Sequence, residues 1–299
     1  MRPHRPAISR REIAGIGLLT LAVICFATLD TATKVVTTQV PLLMAAWVRH
    51  AVQAVFSTTM AWPKLGRKMA ETQMPGTHLA RGLLMLLVTF LAFASLRFLP
   101  VGEFSAIVMT VPLLVTLLSS RLLGEHVSPM RIALVAGGFA GTLVIVRPGS
   151  DFLGWAVVLP LLLVLCNTAF QLLTSRMTRT ENALTTQFYT SWVCVVFGSL
   201  PLYWAWVTLP DWHMWGGMLI MGLAGGAGHF FLIKAFERAK AVTLMPFMYL
   251  QIAFGMLGGW LMFGHLPDGW SLLGIALIAA CGIASGLLTV AENRVLQRA

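Results

Sequence analysis

FSAIVMTVPLLVTLLSSRLLGE, residues Phe104 to Glu125, is the stretch from which the rest of the chain is read. No formally charged residue falls between Glu103 and Arg121, close to the roughly 20 residues a helix needs to cross a hydrocarbon layer of about 30 Å. Ser105, Met109, Pro112, Thr116 and Ser119 recur at alternating steps of four and three, so they share one helical face. A span with a semi-polar seam lines something other than lipid. Pro112 lacks a backbone donor, and inside such a helix it leaves a carbonyl to be satisfied by water, a neighbour or a ligand. Thr243 to Gly264, TLMPFMYLQIAFGMLGGWLMFG, repeats this arrangement 140 residues later.

Working outward, the composition agrees with a membrane chain. Hydrophobic residues make up 58% of the sequence and charged residues 11%, against roughly 45–50% and 25% in a soluble domain. The formal charge of +10 raises nucleic acid as a partner, but the basic residues sit between apolar runs and form neither a basic face nor a stacking platform. Nucleic-acid binding is therefore not expected. Cys25, Cys166, Cys194 and Cys281 lie inside apolar runs without metal-ligand spacing and read as small buried side chains. The first apolar run, 13 to 35, is too long for a signal-peptide core, carries Asp30 and Lys34 and lacks a small-residue cleavage site, so it counts as a span.

Ten apolar segments follow: 13–35, 41–62, 79–99, 103–123, 130–147, 152–175, 184–208, 213–235, 241–264 and 270–291. Pro, Gly or charge marks the joints, as at Pro63-Lys64, Ser128-Pro129, Arg147-Pro148-Gly149, Pro210-Asp211 and Pro267-Asp268-Gly269. With the amino terminus inside, all of the 21 Lys and Arg residues except Lys34, Arg49, Arg97 and Arg147 fall on the cytoplasmic side. That bias predicts both termini in the cytoplasm.

The second half copies the first. Cys25 matches Cys166, Trp47 matches Phe188 and Gly141 matches Gly282 at an offset of 141, while Phe90 matches Phe230 and Gly124 matches Gly264 at 140. Five spans per unit is an odd number, so the units 1–149 and 150–299 must enter the membrane from opposite sides. The expected fold is an all-α integral membrane protein of ten transmembrane helices in two inverted five-helix repeats, with a substrate site between the halves.

The residues also resemble a known family. The span-four proline with its small and polar neighbours, the ending Leu122-Leu123-Gly124-Glu125, and the glycine-spaced helix Gly137, Gly138, Gly141 closing on Arg147-Pro148-Gly149 are similar to the drug/metabolite transporter superfamily, EamA-type branch. The likeness covers the whole chain. It implies a multi-pass protein of the bacterial inner membrane that exports metabolites, with aromatic and neutral amino-acid exporters as the nearest group. The second half departs by ending on Gly264-His265 rather than Gly-Glu. Glu125 is expected to cap a helix or pair with Arg121 or Arg131.

Ionisable residues inside spans are functional candidates because lipid makes them costly. Asp30 shares a face with Phe26 and Thr33, and its repeat partner Gln171 shares one with Asn167 and Thr174. Arg49, His50 and Gln53 form a stripe on span two. Asp30 and Arg49 are placed to receive the ammonium and carboxylate of a zwitterion; equally, Asp30 pairs with Lys34 and Arg49 snorkels outward. His229 is either a helix contact or a group titrating near neutral pH, which keeps proton coupling open. Asn167, Gln171, His229 and Tyr249 supply uncharged hydrogen bonds, Met109 and Pro112 belong to the span-four seam, and Trp47, Phe90, Phe93, Phe188 and Phe230 are wall candidates whose other reading is packing. Glycine pairs at 137 and 141, 222 and 226, 255 and 259, and 282 and 286 allow close helix approach within a monomer or a weak dimer.

Paired carboxylates, a His-rich metal cluster and a phosphate-binding loop are missing from the sequence, so an enzyme is not expected, nor a cofactor or metal. The expected function is outward transport of small metabolites, above all amino acids, by alternating access. Its rivals are an uptake carrier for a larger organic cation or nucleoside-like metabolite, and a non-transporting scaffold or channel.

Overall fold

Local terminators set the helix boundaries. Asn182 accepts a bond from the Leu184 amide at 2.8 Å, and Asp211 one from the His213 amide at 2.9 Å, each satisfying a donor that a first turn leaves without an intrahelical partner. Ser128 does the same for Arg131 ahead of Pro129. Gly124 and Gly264 close their helices in the left-handed region, at φ +66° and +70°, a conformation glycine adopts without cost from a Cβ.

The computed structural model describes residues 10–98, 107–125, 127–147, 158–200, 202–208, 211–264 and 268–296. Among them the helices are α1 (Arg10–Val36), α2 (Leu42–Leu65), α3 (Pro75–Phe98), α4 (Val111–Leu122), α5 (Pro129–Val146), α6 (Val158–Met177), α7 (Ala183–Gly198), α8 (Trp212–Phe236), α9 (Ala241–Met248), α10 (Leu250–Phe263) and α11 (Gly269–Leu296). Short turns of helix occur at Gly66–Ala70 and Leu202–Ala205, and no strand is present among the described residues. Six helices are long and apolar enough to cross a membrane, with α9 and α10 counted as one. Leu161, Leu165, Ile220, Leu261 and Leu287 stand exposed around the bundle, as side chains that meet lipid do.

Packing repeats with the sequence. The α1 helix runs along α8 as α3 runs along α6; α2 meets α8 as α7 meets α3; and α2 with α7, α4 with α9, and α5 with α11 pack directly on each other. Two glycine contacts show the correspondence atom by atom. A Cβ at Gly222 would lie 2.3 Å from the Val52 side chain, and one at Gly82 would lie 2.5 Å from Val193; Gly82 and Gly222 are 140 residues apart, Val52 and Val193 are 141. Gly137 and Gly141 press on Cys281 and Ile278, and Gly226 on Phe56, so these pairs serve internal packing, whereas Gly255 and Gly259 have open space beside them.

The structure corrects three sequence expectations. Span four is not continuous: the chain tightens at Met109–Thr110 before α4, so Pro112 occupies the first helical turn, where no intrahelical donor is needed. Span nine is locally irregular at Tyr249, 140 residues after Met109 and three beyond the helix-interior Pro246, while its backbone there stays helical. The third difference is α7, which ends at Gly198, so the apolar run to 208 outlasts its helix. Phe104, Ser105, Pro148, Gly149, Pro210, His265 and Pro267, and the side chains of Phe93 and Arg97, lie outside the described residues.

Candidate functional site

Six helices bring polar side chains to one seam at the middle of the bundle. From α2, Arg49 lies against Gly225 of α8, whose missing Cβ would sit 3.2 Å from Arg49 Nε, and Gln53 lies beside the same glycine. From α7, Gln187 Nε2 donates to the Gly226 carbonyl at 3.4 Å. His229 of α8 packs its ring against Phe26 of α1, centroids 4.9 Å apart, and against the edge of Phe170 of α6 at 5.9 Å. The other side of that assembly is Arg81 of α3, whose guanidinium stands 4.4 Å above the Phe170 ring. Its Nε donates to Thr174 Oγ1 at 2.8 Å, and Nη1 donates to Thr190 Oγ1.

Much of this seam has no hydrogen-bond partner among the described residues. Arg49 Nε, both amide atoms of Gln53, Arg81 Nη2, Gln171 Oε1, Gln187 Oε1 and His229 Nδ1 are all buried in this condition. Each such group costs about 1–3 kcal/mol unless water or a ligand satisfies it. Gathered on neighbouring helices, such groups are what a polar ligand would satisfy.

Asp30 stands at the edge of the seam. Its side chain is exposed, and Oδ2 accepts a bond from Gln251 Nε2 at 2.8 Å. Asp30 and Arg49 are near enough to act on each other electrostatically. Gln171 Nε2 reaches Asn167 Oδ1 at 3.5 Å, continuing the polar face of α6.

Other sequence candidates lie elsewhere. Trp47, His50 and Phe90 line a small cavity between α2, α3 and α7 with Leu86 and Cys194. Trp47 Nε1 donates to Ser199 Oγ at 2.9 Å, and His50 Nε2 is 3.4 Å from Thr89 Oγ1. Tyr249 is fully buried and wedges its ring onto Gly138 of α5, where a Cβ would be 2.5 Å away. Met109 packs against the core beside the span-four break, and Pro112 is buried in the first turn of α4. Phe188 and Phe230 pack with Ala61, Met69 and Leu184, apart from the seam.

Arg81, Gln187 and Gln251 are additions that sequence reading did not select. Starting span three at residue 79 placed Arg81 with the loop cations; α3 begins at Pro75 and carries it two turns in. The proline itself was the available signal, since Pro favours a first helical turn. Of the two expectations for Glu125 the structure shows the helix cap: Oε1 and Oε2 accept bonds from the amides of Ala241 and Val242, at 3.1 and 3.0 Å. A carboxylate from the end of α4 thus caps the start of α9.

Comparison with known proteins identifies the chain. A model of the EamA-like transporter family matches residues 13–147 and again residues 154–285. The protein belongs to the EamA-like transporter family. A riboflavin transporter of Rhizobium johnstonii is 33% identical over 91% of each chain, and one of Vibrio cholerae is 27% identical over 91% of this chain and 92% of its own. An S-adenosylmethionine uptake transporter of Rickettsia felis is 23% identical, covering 89% and 90% of the two chains. A solved crystal structure aligns over 93% of this chain and 98% of its own at TM-score 0.81 with 18% identity, a likeness of fold. This EamA-like protein is therefore a membrane transporter with the multi-pass, inner-membrane location of its family, and its homologues support a non-enzymatic role.

Proposed function

We propose that this EamA-like protein carries a planar heteroaromatic metabolite of the riboflavin class by alternating access, through the seam between two inverted five-span units, 1–149 and 150–299. The observation that supports the substrate class is the approach of Gln53 and Gln187 to Gly226 of α8, one turn from the His229 ring that packs on Phe26 and Phe170. A flavin ring has flat apolar faces and an edge on which an imide N–H lies between two carbonyls. Primary amides match that edge with donor and acceptor together. Similarity to two riboflavin transporters supports the same class.

Ten spans with both termini cytoplasmic suit this reading. At the equivalent positions Met109–Thr110 and Tyr249 both halves carry a local irregularity in a backbone that stays helical, as matching points of a repeat should. On the side then assigned to the cytoplasm, Arg11 donates to the Glu237 carbonyl at 2.8 Å, Arg179 to the Leu123 carbonyl at 3.0 Å, and Glu125 caps α9. These ties close the inner mouth, while Asp30 remains accessible in the outer half.

Outward transport of aromatic or neutral amino acids is the second reading, favoured by the proximity of Asp30 and Arg49. Counterflow in proteoliposomes separates the two. Labelled riboflavin is expected to enter saturably and faster against internal riboflavin, with phenylalanine and leucine failing to compete. Saturable amino-acid counterflow without riboflavin flux would establish the second reading instead, and in that case Asp30→Asn and Arg49→Gln should each abolish it.

A further inference from the structure

The seam carries an excess of positive charge that a neutral cargo leaves unanswered. Arg81 is completely buried and Arg49 is 9% exposed. Among the described residues neither has a carboxylate within ion-pair distance; Asp30 acts on Arg49 from further away, and Arg81 is held by two threonine hydroxyls and a phenyl ring. His229 lies within electrostatic reach of Arg49, Arg81 and His50. Burying unpaired cations together is unfavourable unless an anion joins them.

The geometry of Arg81 says where that anion sits. A guanidinium has five N–H donors in a planar fork. Thr174 and Thr190 fix Nε and Nη1, Phe170 covers one face, and the buried Nη2 remains without a partner. Arg49 Nε, on α2, is likewise buried without a partner among the described residues. A guanidinium held in place with an unused donor is the usual protein answer to a carboxylate or phosphate.

Resting on the assignment of the seam as the transport site, we propose that Arg81 forms an oxyanion subsite to which Arg49 adds positive potential, so that the transported molecule either bears a phosphate or carboxylate or binds together with a small oxyanion. Asp30, bonded to Gln251 at the edge, balances part of the charge and leaves net positive potential for the ligand.

Binding to the purified full-length protein tests this, read by flavin fluorescence quenching at constant ionic strength. If the cargo bears the anion, flavin mononucleotide binds about tenfold more tightly than riboflavin, and inorganic phosphate competes with it. If a separate oxyanion binds alongside, inorganic phosphate tightens riboflavin binding by a similar factor and flavin mononucleotide gains nothing. Either preference disappears in Arg81→Gln and persists in weakened form in Arg81→Lys. Should Arg81→Gln fail to fold, the phosphate series on the unaltered protein decides alone. Riboflavin binding that is indifferent to phosphate and equal to that of flavin mononucleotide overturns the oxyanion subsite and leaves the flavin reading standing. Phosphate-dependent stabilisation lost in Arg81→Gln, without riboflavin binding, keeps the subsite and removes the flavin reading. No binding of any of these probes overturns both.

Discussion

Replacing Glu125 by alanine is expected to cost about 2–5 kcal/mol of stability, because two charge-assisted hydrogen bonds disappear and two amides at a helix start lose their acceptor. The carboxylate is 5% exposed and spans from the end of α4 to Ala241 and Val242 at the start of α9. Little water is available to replace it. Glu125→Gln keeps one acceptor oxygen and should fall between the parent and the alanine variant. Glu125→Asp keeps the charge but shortens the reach, and should also be destabilised. Thermal unfolding of the purified variants checks the series; an alanine variant as stable as the parent would show that the cap does not hold the inner mouth. The bond joins the two proposed halves, so its loss should also raise accessibility from the cytoplasmic side.

The second large effect has the opposite sign for stability. Gln53 is fully buried, and neither its amide nitrogen nor its oxygen has a partner among the described residues. Removing a buried polar group that lacks a partner is close to neutral or stabilising when the replacement has similar volume. Gln53→Leu should therefore leave the unfolding midpoint unchanged or raised while reducing substrate flux by about tenfold or more, equivalent to about 1.4 kcal/mol of lost interaction. Reduced stability together with normal flux would make this glutamine structural.

Period and composition made the helical architecture legible before any coordinates. The offset of 140 to 141 residues located equivalent positions closely enough that Gly124 and Gly264 share a left-handed cap, and that Gly82 and Gly222 each meet the equivalent valine. The site was harder to read. Arg49, His229 and Gln171 were visible as costly polar residues inside apolar runs, but Arg81 stood close enough to a loop to be counted with it. The partner of Glu125 could not be found from sequence, because it is two backbone amides 116 and 117 residues away, and an amide carries no residue signature. Tyr249 looked like a hydrogen-bonding candidate; the glycine that accepts its ring, Gly138, belongs to another helix, and only packing pairs them. Helical periodicity says which face of a helix is special, and only helix packing says what that face meets.

Cys194 provides a native reporter beside the proposed pathway. It is 1% exposed, donates to the Gly82 carbonyl at 3.5 Å, lines the cavity with Trp47 and His50, and lies within electrostatic reach of both Arg49 and Arg81. With Cys25, Cys166 and Cys281 replaced by alanine, its reaction with a small membrane-impermeant methanethiosulfonate is followed from each side of sealed vesicles during turnover. Alternating access around the seam predicts labelling from both sides, shifted in opposite directions by saturating substrate on one side. A thiol that stays unreactive from both sides while substrate is being transported would contradict the placement of the pathway between the two halves.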